Sequence, residues 1–300
     1  MSLLVTGSIG IDDVRTPFGE VRNVYGGSAV YFSFAARLFA PVRFVGVVGE
    51  DFPPDFRRFL ERRDIDLTGL EVRKGSRTFR WSGRYETPTS DAQTTGIELN
   101  VLAEAGPKIP EPFRDSRYVF LAATHPDLQQ DLVRQLTGPR LIVADTRDLW
   151  INTQRESLAR TLAGVTGAIL NDAEARLLAG ENNLILAGRK VLDFGPRFVV
   201  IKKGEHGAML VTREQAAALP AYPATLVKDP TGAGDSFAGG MMGYLATQAE
   251  FGVPVLKRAL AYGTILASFT IEDFSLNRLQ TVTEADVAAR FKEYADMLAL

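Results

Sequence analysis

Asp229-Pro230-Thr231-Gly232-Ala233-Gly234-Asp235-Ser236-Phe237-Ala238-Gly239-Gly240 joins an apolar stretch, Ala221 to Val227, to a helix-compatible run, Phe237 to Ala249. The small residues Gly232, Ala233 and Gly234 let the backbone turn sharply and present successive N–H groups where a helix begins. Roughly half a positive charge from the helix dipole lies behind those donors, which makes the turn a pocket for an anion. Asp235 stands at its mouth. A carboxylate there reads either as an N-cap or as a general base beside an anion hole, the arrangement that phosphoryl transfer to an alcohol requires. Two better-known glycine motifs do not fit. A dinucleotide fingerprint needs a third glycine where Phe237 stands, which weighs against a nicotinamide-dependent oxidoreductase. A Walker loop needs Gly-Lys-Ser/Thr, and no lysine occurs from Asp235 to Gly240.

Around this turn the chain of 300 residues alternates short apolar runs with helical patterns, the signature of parallel strands joined by crossover helices. Leu3 to Gly7, Arg43 to Val48, Tyr118 to Ala122, Leu141 to Ala144, Gly167 to Leu170 and Phe198 to Lys202 read as buried strands. Ser28 to Phe39 reads as a helix with Val30, Phe34 and Leu38 on one face, and Pro254 to Ile271 as a long one. A last helix starts at Thr283, with Asp286 in the capping-box position and Val287, Phe291, Tyr294 and Leu298 as its stripe. Thr78 to Val101 and Asp12 to Tyr25 break the pattern. Their half-polar alternation predicts exposed antiparallel strands, a small sheet over one side of a site or a plain surface hairpin. The expectation is an α/β fold over residues 1–300 as one domain, with a lid from about 12–25 and 76–102.

Composition removes several classes of function. With 34 Lys and Arg against 36 Asp and Glu, interspersed, the chain has no basic tract for nucleic acid. It contains no cysteine, which excludes disulfides, thiolate nucleophiles and Cys-based metal sites, and only two histidines, His125 and His206, which weighs against a histidine-rich metal centre or a His-dependent triad. The first residues carry no signal-peptide pattern and no apolar run reaches membrane-spanning length, so a soluble, cytoplasmic protein is expected.

Other candidate groups lie near expected strand ends, where ligands of open α/β sheets bind. Asp12 follows the first strand and suits vicinal hydroxyls, since both its oxygens accept hydrogen bonds. Gly26-Gly27-Ser28 precedes a helix and permits close backbone approach to a substrate, and Tyr31 faces either that substrate or the core. Asn171-Asp172-Ala173-Glu174 reads by itself as an N-cap with its capping-box partner. Lys202, Lys203, Gly204 and Gly207 form a strand end and turn in which lysine could neutralise phosphate or simply face solvent. Arg80, Arg84 and Arg147 are candidate clamps for a carboxylate or phosphate.

The GAGD string at Gly232 to Asp235, the glycine pair at Gly26-Gly27 and the NxxE pattern at Asn171 to Glu174 together resemble the ribokinase/PfkB family of carbohydrate kinases, over nearly the whole chain. The resemblance implies a mostly parallel sheet flanked by helices, with a small β lid. It implies Asp235 as catalytic base and Gly232, Ala233 and Gly234 as anion hole. On the acceptor side it implies Asp12, Gly26, Gly27 and Tyr31, joined by Arg84 and Arg147 from the residues above. On the nucleotide side it implies Asn171, Lys202, Gly204, Gly207, Thr231 and Thr264, with Glu174 reaching Mg²⁺ through water. ATP and Mg²⁺ are the implied cofactors, with room for a monovalent cation, and a homodimer through the lid is a further expectation. Ser28 and Tyr31 stand where ribokinase carries Lys and Asn, which leaves ribose specificity unsupported. A sugar or sugar acid is the first expected acceptor. A nucleoside 5′-hydroxyl is the alternative, because Tyr31 and the lid residues Phe79, Trp81 and Tyr85 could stack a base, and sugar phosphates remain open through Arg84 or Arg147. A kinase-like protein without catalysis is disfavoured by the intact Asp235.

Overall fold

Leu3, Leu4 and Val5 are all fully buried, yet Leu3 and Val5 belong to one apolar cluster and Leu4 to another. Successive strand side chains point to opposite faces, so this strand is covered on both sides, as in sheets sandwiched between helices. The computed structural model describes residues 2–299, and its strands in chain order are β1 (Leu3–Thr6), β2 (Gly10–Thr16), β3 (Gly19–Gly26), β4 (Val42–Gly49), β5 (Ile65–Arg73), β6 (Phe79–Arg84), β7 (Gln93–Glu98), β8 (Tyr118–Leu121), β9 (Leu141–Asp145), β10 (Gly167–Asn171), β11 (Phe198–Lys202), β12 (Ala208–Thr212) and β13 (Ala216–Leu219). Nine of them form the main sheet in the order β13-β12-β11-β10-β9-β8-β1-β4-β5. All neighbours pair in parallel except at the β11-β12-β13 end, which is antiparallel.

The helices are α1 (Ser28–Ala36), α2 (Pro54–Glu61), α3 (Pro126–Arg134), α4 (Asp148–Thr153), α5 (Arg155–Ala163), α6 (Asp172–Ala179), α7 (Leu184–Leu192), α8 (Ala233–Ala246), α9 (Val253–Thr270) and α10 (Glu284–Leu298). Every residue of α1 from Ala29 to Ala36 is buried, because the helix lies between the sheet and α8. Two glycines make that approach close. A side chain at Gly239 would begin 2.3 Å from the Phe32 carbonyl oxygen, and one at Gly243 would begin 3.0 Å from that of Ala36. The expected capping box of the last helix is present, Thr283 and Asp286 each bonding the other's backbone N–H.

From β1 the chain runs to β4 and β5 on one side and later returns to β8 on the other, so strand order reverses at β1. Crevices at such reversals, beyond the carboxyl ends of the strands, are where ligands of this architecture bind. The two half-polar segments form a second sheet above that edge, in the order β3-β2-β6-β7. Its outer pairs are antiparallel, as expected, while the central β2-β6 pair is parallel. Other details differ from expectation by a few residues. The helix-compatible run from Phe237 becomes α8, which starts four residues earlier, at Ala233, and takes up the glycine turn itself.

Candidate active site

The glycine turn is built from below. Asp229 is fully buried, and its two carboxylate oxygens accept the N–H groups of Thr231 (2.9 Å) and Ser275 (3.1 Å). Gly232 then takes φ +75°, a left-handed conformation that disfavours any side chain, and the Tyr31 ring occupies the space where one would project, 2.3 Å from its first carbon. Tyr31 is therefore 2% exposed, at once a core residue and the floor of the turn. The N–H of Ala233 donates to the Pro230 carbonyl and that of Ser236 to the Gly232 carbonyl. Gly234 and Asp235, in the first helical turn, have no backbone acceptor among the described residues, so theirs are the free donors.

Around this turn lies a cleft of about 260 Å³. It collects Ser8 from beyond β1, Ala123 from beyond β8, Asp145 and Lys202 from the ends of β9 and β11, and Glu174 from the first turn of α6. Of the residues singled out in the sequence, Asp12, Gly27, Tyr31, Arg147, Glu174, Lys202, Thr231, Gly232, Gly234 and Asp235 line it. Gly26 is adjacent; a side chain there would overlap the Asp12 carboxylate, 1.8 Å away. Asn171 caps α6: its side-chain oxygen accepts the Glu174 N–H at 2.7 Å, and the Glu174 carboxylate accepts the Asn171 N–H at 2.7 Å, so the capping-box reading and the cleft position of Glu174 both hold. Gly204 and Gly207 shape the β11–β12 turn and Thr264 is buried on α9; none of the three lines the cleft.

Arg84 does not reach the site. Phe79, Trp81 and Tyr85 face the cleft, and the period-two alternation of a strand sends Arg80 and Arg84 to the other face. There Arg84 bonds Gln93 (3.0 Å) and Glu86, while Arg80 bonds Asn23 (3.1 Å). Among the cleft residues with no mark in the sequence analysis, two are polar groups of note. Asp145 ends β9, and the strand-end rule that selects Asp12 selects it equally. Ser8 exchanges hydrogen bonds with Ser28, each backbone N–H donating to the other's hydroxyl at 3.0 and 2.9 Å, which ties the end of β1 to the start of α1.

The electrostatics are those of crowded, partly dehydrated carboxylates. Burial, with help from Asp229 and Asp235, pushes Asp12 up to about 8, although the Gly27 N–H works against the shift. Burial lifts Asp235 to about 6; Lys202 and Arg147 pull against the rise and Asp145 adds to it. Glu174 is likewise raised, by burial and by Asp145. Lys202 moves the other way from what burial alone dictates, because Asp145, Glu174 and Asp235 stabilise its charge. Its ammonium lies 3.0 Å from an Asp145 oxygen and 3.3 Å from where a side chain on Gly234 would begin, so a cation sits over the first turn of α8. No group of three or more His, Cys, Asp or Glu among the described residues is arranged to hold a metal ion by itself. Glu174 and Asp145, in one cleft with the unpaired N–H groups of Gly234 and Asp235, do fit a hydrated divalent cation shared with a nucleotide.

Residues 129–281 match the pfkB family carbohydrate kinases. The chain is 29% identical to a cytidine kinase of Thermococcus kodakarensis, across 81% of this chain and 87% of that protein. It is 27% identical to a fructokinase of Klebsiella pneumoniae, across 88% and 89%. The fold superposes on a nucleoside kinase of Burkholderia thailandensis in complex with inosine, with a TM-score of 0.78, 19% sequence identity, and 97% and 98% of the two chains covered. Fold, cleft and sequence define an ATP-dependent kinase of ribokinase-like architecture. The chain belongs to the pfkB family of carbohydrate kinases.

Proposed function

We propose that this kinase transfers the γ-phosphoryl group of ATP to the 5′-hydroxyl of a nucleoside, with Asp235 as general base. The observation that carries the acceptor is an aromatic wall set beside polar groups in one cleft. Phe79, Trp81 and Tyr85 line it together with Asp12, Ser8 and Ser28, and Asp12 is the register partner of Trp81 across β2 and β6. A planar base matches the aromatic rings and ribose hydroxyls the polar groups. Trp81 is held as a plate: its indole N–H donates to the Thr94 hydroxyl (3.1 Å), and its ring covers Gly83, where a side chain would begin 2.1 Å from it. The cytidine and nucleoside kinases among its relatives support the same acceptor. The aromatic wall puts the nucleoside ahead of a bare sugar. The fructokinase relative keeps the sugar as the second reading.

In this mechanism Asp235 takes the proton of the attacking hydroxyl as its oxygen bonds to the γ-phosphorus and the bond to the β–γ bridging oxygen breaks, releasing ADP. Its carboxyl, raised to about 6, is ionised at neutral pH yet basic enough to accept a proton. The N–H groups of Gly234 and Asp235 and the Lys202 ammonium face the charge that passes between donor and acceptor. Glu174 would hold Mg²⁺ through water when the nucleotide is bound, and the ion would neutralise charge on the phosphates. The small sheet acts as a lid that keeps water from the transferring group.

ADP release with Mg·ATP, measured over nucleosides, sugars, sugar acids and sugar phosphates, tests the acceptor. A nucleoside is expected to turn over best, and Asp235→Asn to lose about 10²–10⁴-fold of that rate with the fold intact. The chain has two tryptophans, and Trp150 packs on His125 outside the cleft. In a Trp150→Phe background, Trp81 fluorescence should therefore change saturably with a nucleoside and stay level with a sugar. Preferred turnover of a sugar with silent Trp81 would replace the nucleoside by the second reading.

A further inference from the structure

Tyr85 belongs to the small sheet, but its hydroxyl ends in the catalytic turn. It follows β6 directly, and its N–H donates to the Arg15 carbonyl (2.9 Å), which fixes its backbone to β2. The side chain is 8% exposed, and the hydroxyl lies 3.1 Å from the Thr231 hydroxyl. Thr231 immediately precedes Gly232, the left-handed residue from which α8 starts. Three groups thus hold this turn. The Asp229 carboxylate and the Tyr31 ring belong to the body of the molecule; the Tyr85 hydroxyl alone of the three belongs to the sheet above it.

We propose that Tyr85 is a positioning residue for phosphoryl transfer: its hydrogen bond to Thr231 fixes the turn that orients the free N–H groups of Gly234 and Asp235, so the anion pocket is complete only while the small sheet is closed over the cleft. This rests on the assignment of that turn as the anion pocket. The physical reason is the geometry such donors require. They stabilise the transferring group only when aimed at it in advance, and a turn with a residue at positive φ has little local preference to hold it there. Coupling the last restraint to the sheet also makes the full rate conditional on closure, when bulk water is excluded, which favours transfer to the acceptor over hydrolysis of ATP. Tyr85 does this through Thr231 and need not touch the acceptor.

Tyr85→Phe keeps the ring and its packing and removes only the oxygen. Two readouts are taken on the full chain. The first needs no acceptor: hydrogen exchange of the bonded amides of Thr231, Ala233 and Ser236 in the unliganded protein is expected to rise about tenfold, with peptides of the main sheet unchanged. The second is steady-state kinetics with whichever acceptor turns over. Here kcat is expected to fall about tenfold, the equivalent of about 1.4 kcal/mol, with the KM of the acceptor within about twofold of wild type. Thr231→Val should reproduce both changes, Thr231→Ser should restore them, and the Tyr85→Phe/Thr231→Val double variant should be no worse than either single one. Unchanged exchange would overturn the role of Tyr85 in holding the turn. A raised KM with unchanged kcat would overturn it in favour of direct acceptor contact. Faster exchange with unaltered kcat and KM would locate the error in the anion-pocket assignment, and the inference would fall with it.

Discussion

At the scale of single residues, the active cleft is a place where carboxylates are held out of water and tuned by one lysine. If Asp235 is the base, kcat/KM should rise with pH along a limb near 6 and level off above it, since only the ionised carboxylate accepts a proton. Lys202 favours that ionised form, so Lys202→Met should move the limb to higher pH, whereas Asp145→Asn should move it lower by removing a like charge. A limb that stays in place in both variants would detach it from Asp235. Asp12 carries a different consequence. It is 4% exposed and its folded carboxyl is raised from 3.8 to about 8, so the native state holds a proton that the unfolded chain releases. The associated stability is present below the unfolded value and is lost as pH rises towards 8. Asp12→Asn removes this loss while keeping an acceptor for the Gly27 N–H. Its melting temperature should exceed that of wild type by a margin that grows from pH 5 to pH 8, while acceptor binding weakens. A margin independent of pH would show that Asp12 is ionised throughout.

At the scale of elements, the turn into α8 concentrates the constraints. Gly232→Ala places a methyl-bearing carbon at φ +75° and 2.3 Å from the Tyr31 ring. The conformation alone costs about 1–2 kcal/mol, and displacement of a fully packed ring adds to it. The midpoint of urea unfolding should fall accordingly, and turnover should fall further than stability because the first-turn donors move with the backbone. An unchanged midpoint would mean that the turn forms equally well without a left-handed residue. β6 illustrates how strictly an element sorts its side chains: within seven residues, Phe79, Trp81 and Tyr85 go to the cleft and Arg80 and Arg84 away from it.

At the scale of the whole molecule, the cleft is closed by two sheets that share no strand, one made of nine strands and one of four. A ligand that touches both stabilises the arrangement by mass action, about 2.7 kcal/mol at a concentration 100 times its Kd. The correct acceptor should therefore raise the melting temperature on its own, and by more in the presence of Mg²⁺ and a non-hydrolysable ATP analogue, because each ligand favours the closed sheet that the other needs. Lack of any shift from the acceptor with the highest turnover would place its binding outside this cleft.

The sequence by itself determined the parallel architecture, the half-polar segments that become the second sheet, and the turn from Asp229 to Gly240. These are local properties: apolar runs long enough for buried strands, alternation for half-covered ones, and a glycine string whose backbone freedom is written in residue type. Glu174 and Lys202 were legible because a cap position and a strand end can be counted along the chain, whereas Asp12, chosen as a group following the first strand, lies inside β2 of the second sheet. Only the tertiary structure decided which of two adjacent side chains enters the cleft, since a shift of one residue in a strand reverses its face. That put Arg84 outside and Trp81 within. It also revealed Asp145 beside Lys202, Tyr31 beneath Gly232 and Tyr85 on Thr231. Each of these joins residues from 57 to 201 positions apart, and no pattern read along the chain specifies a contact made through space.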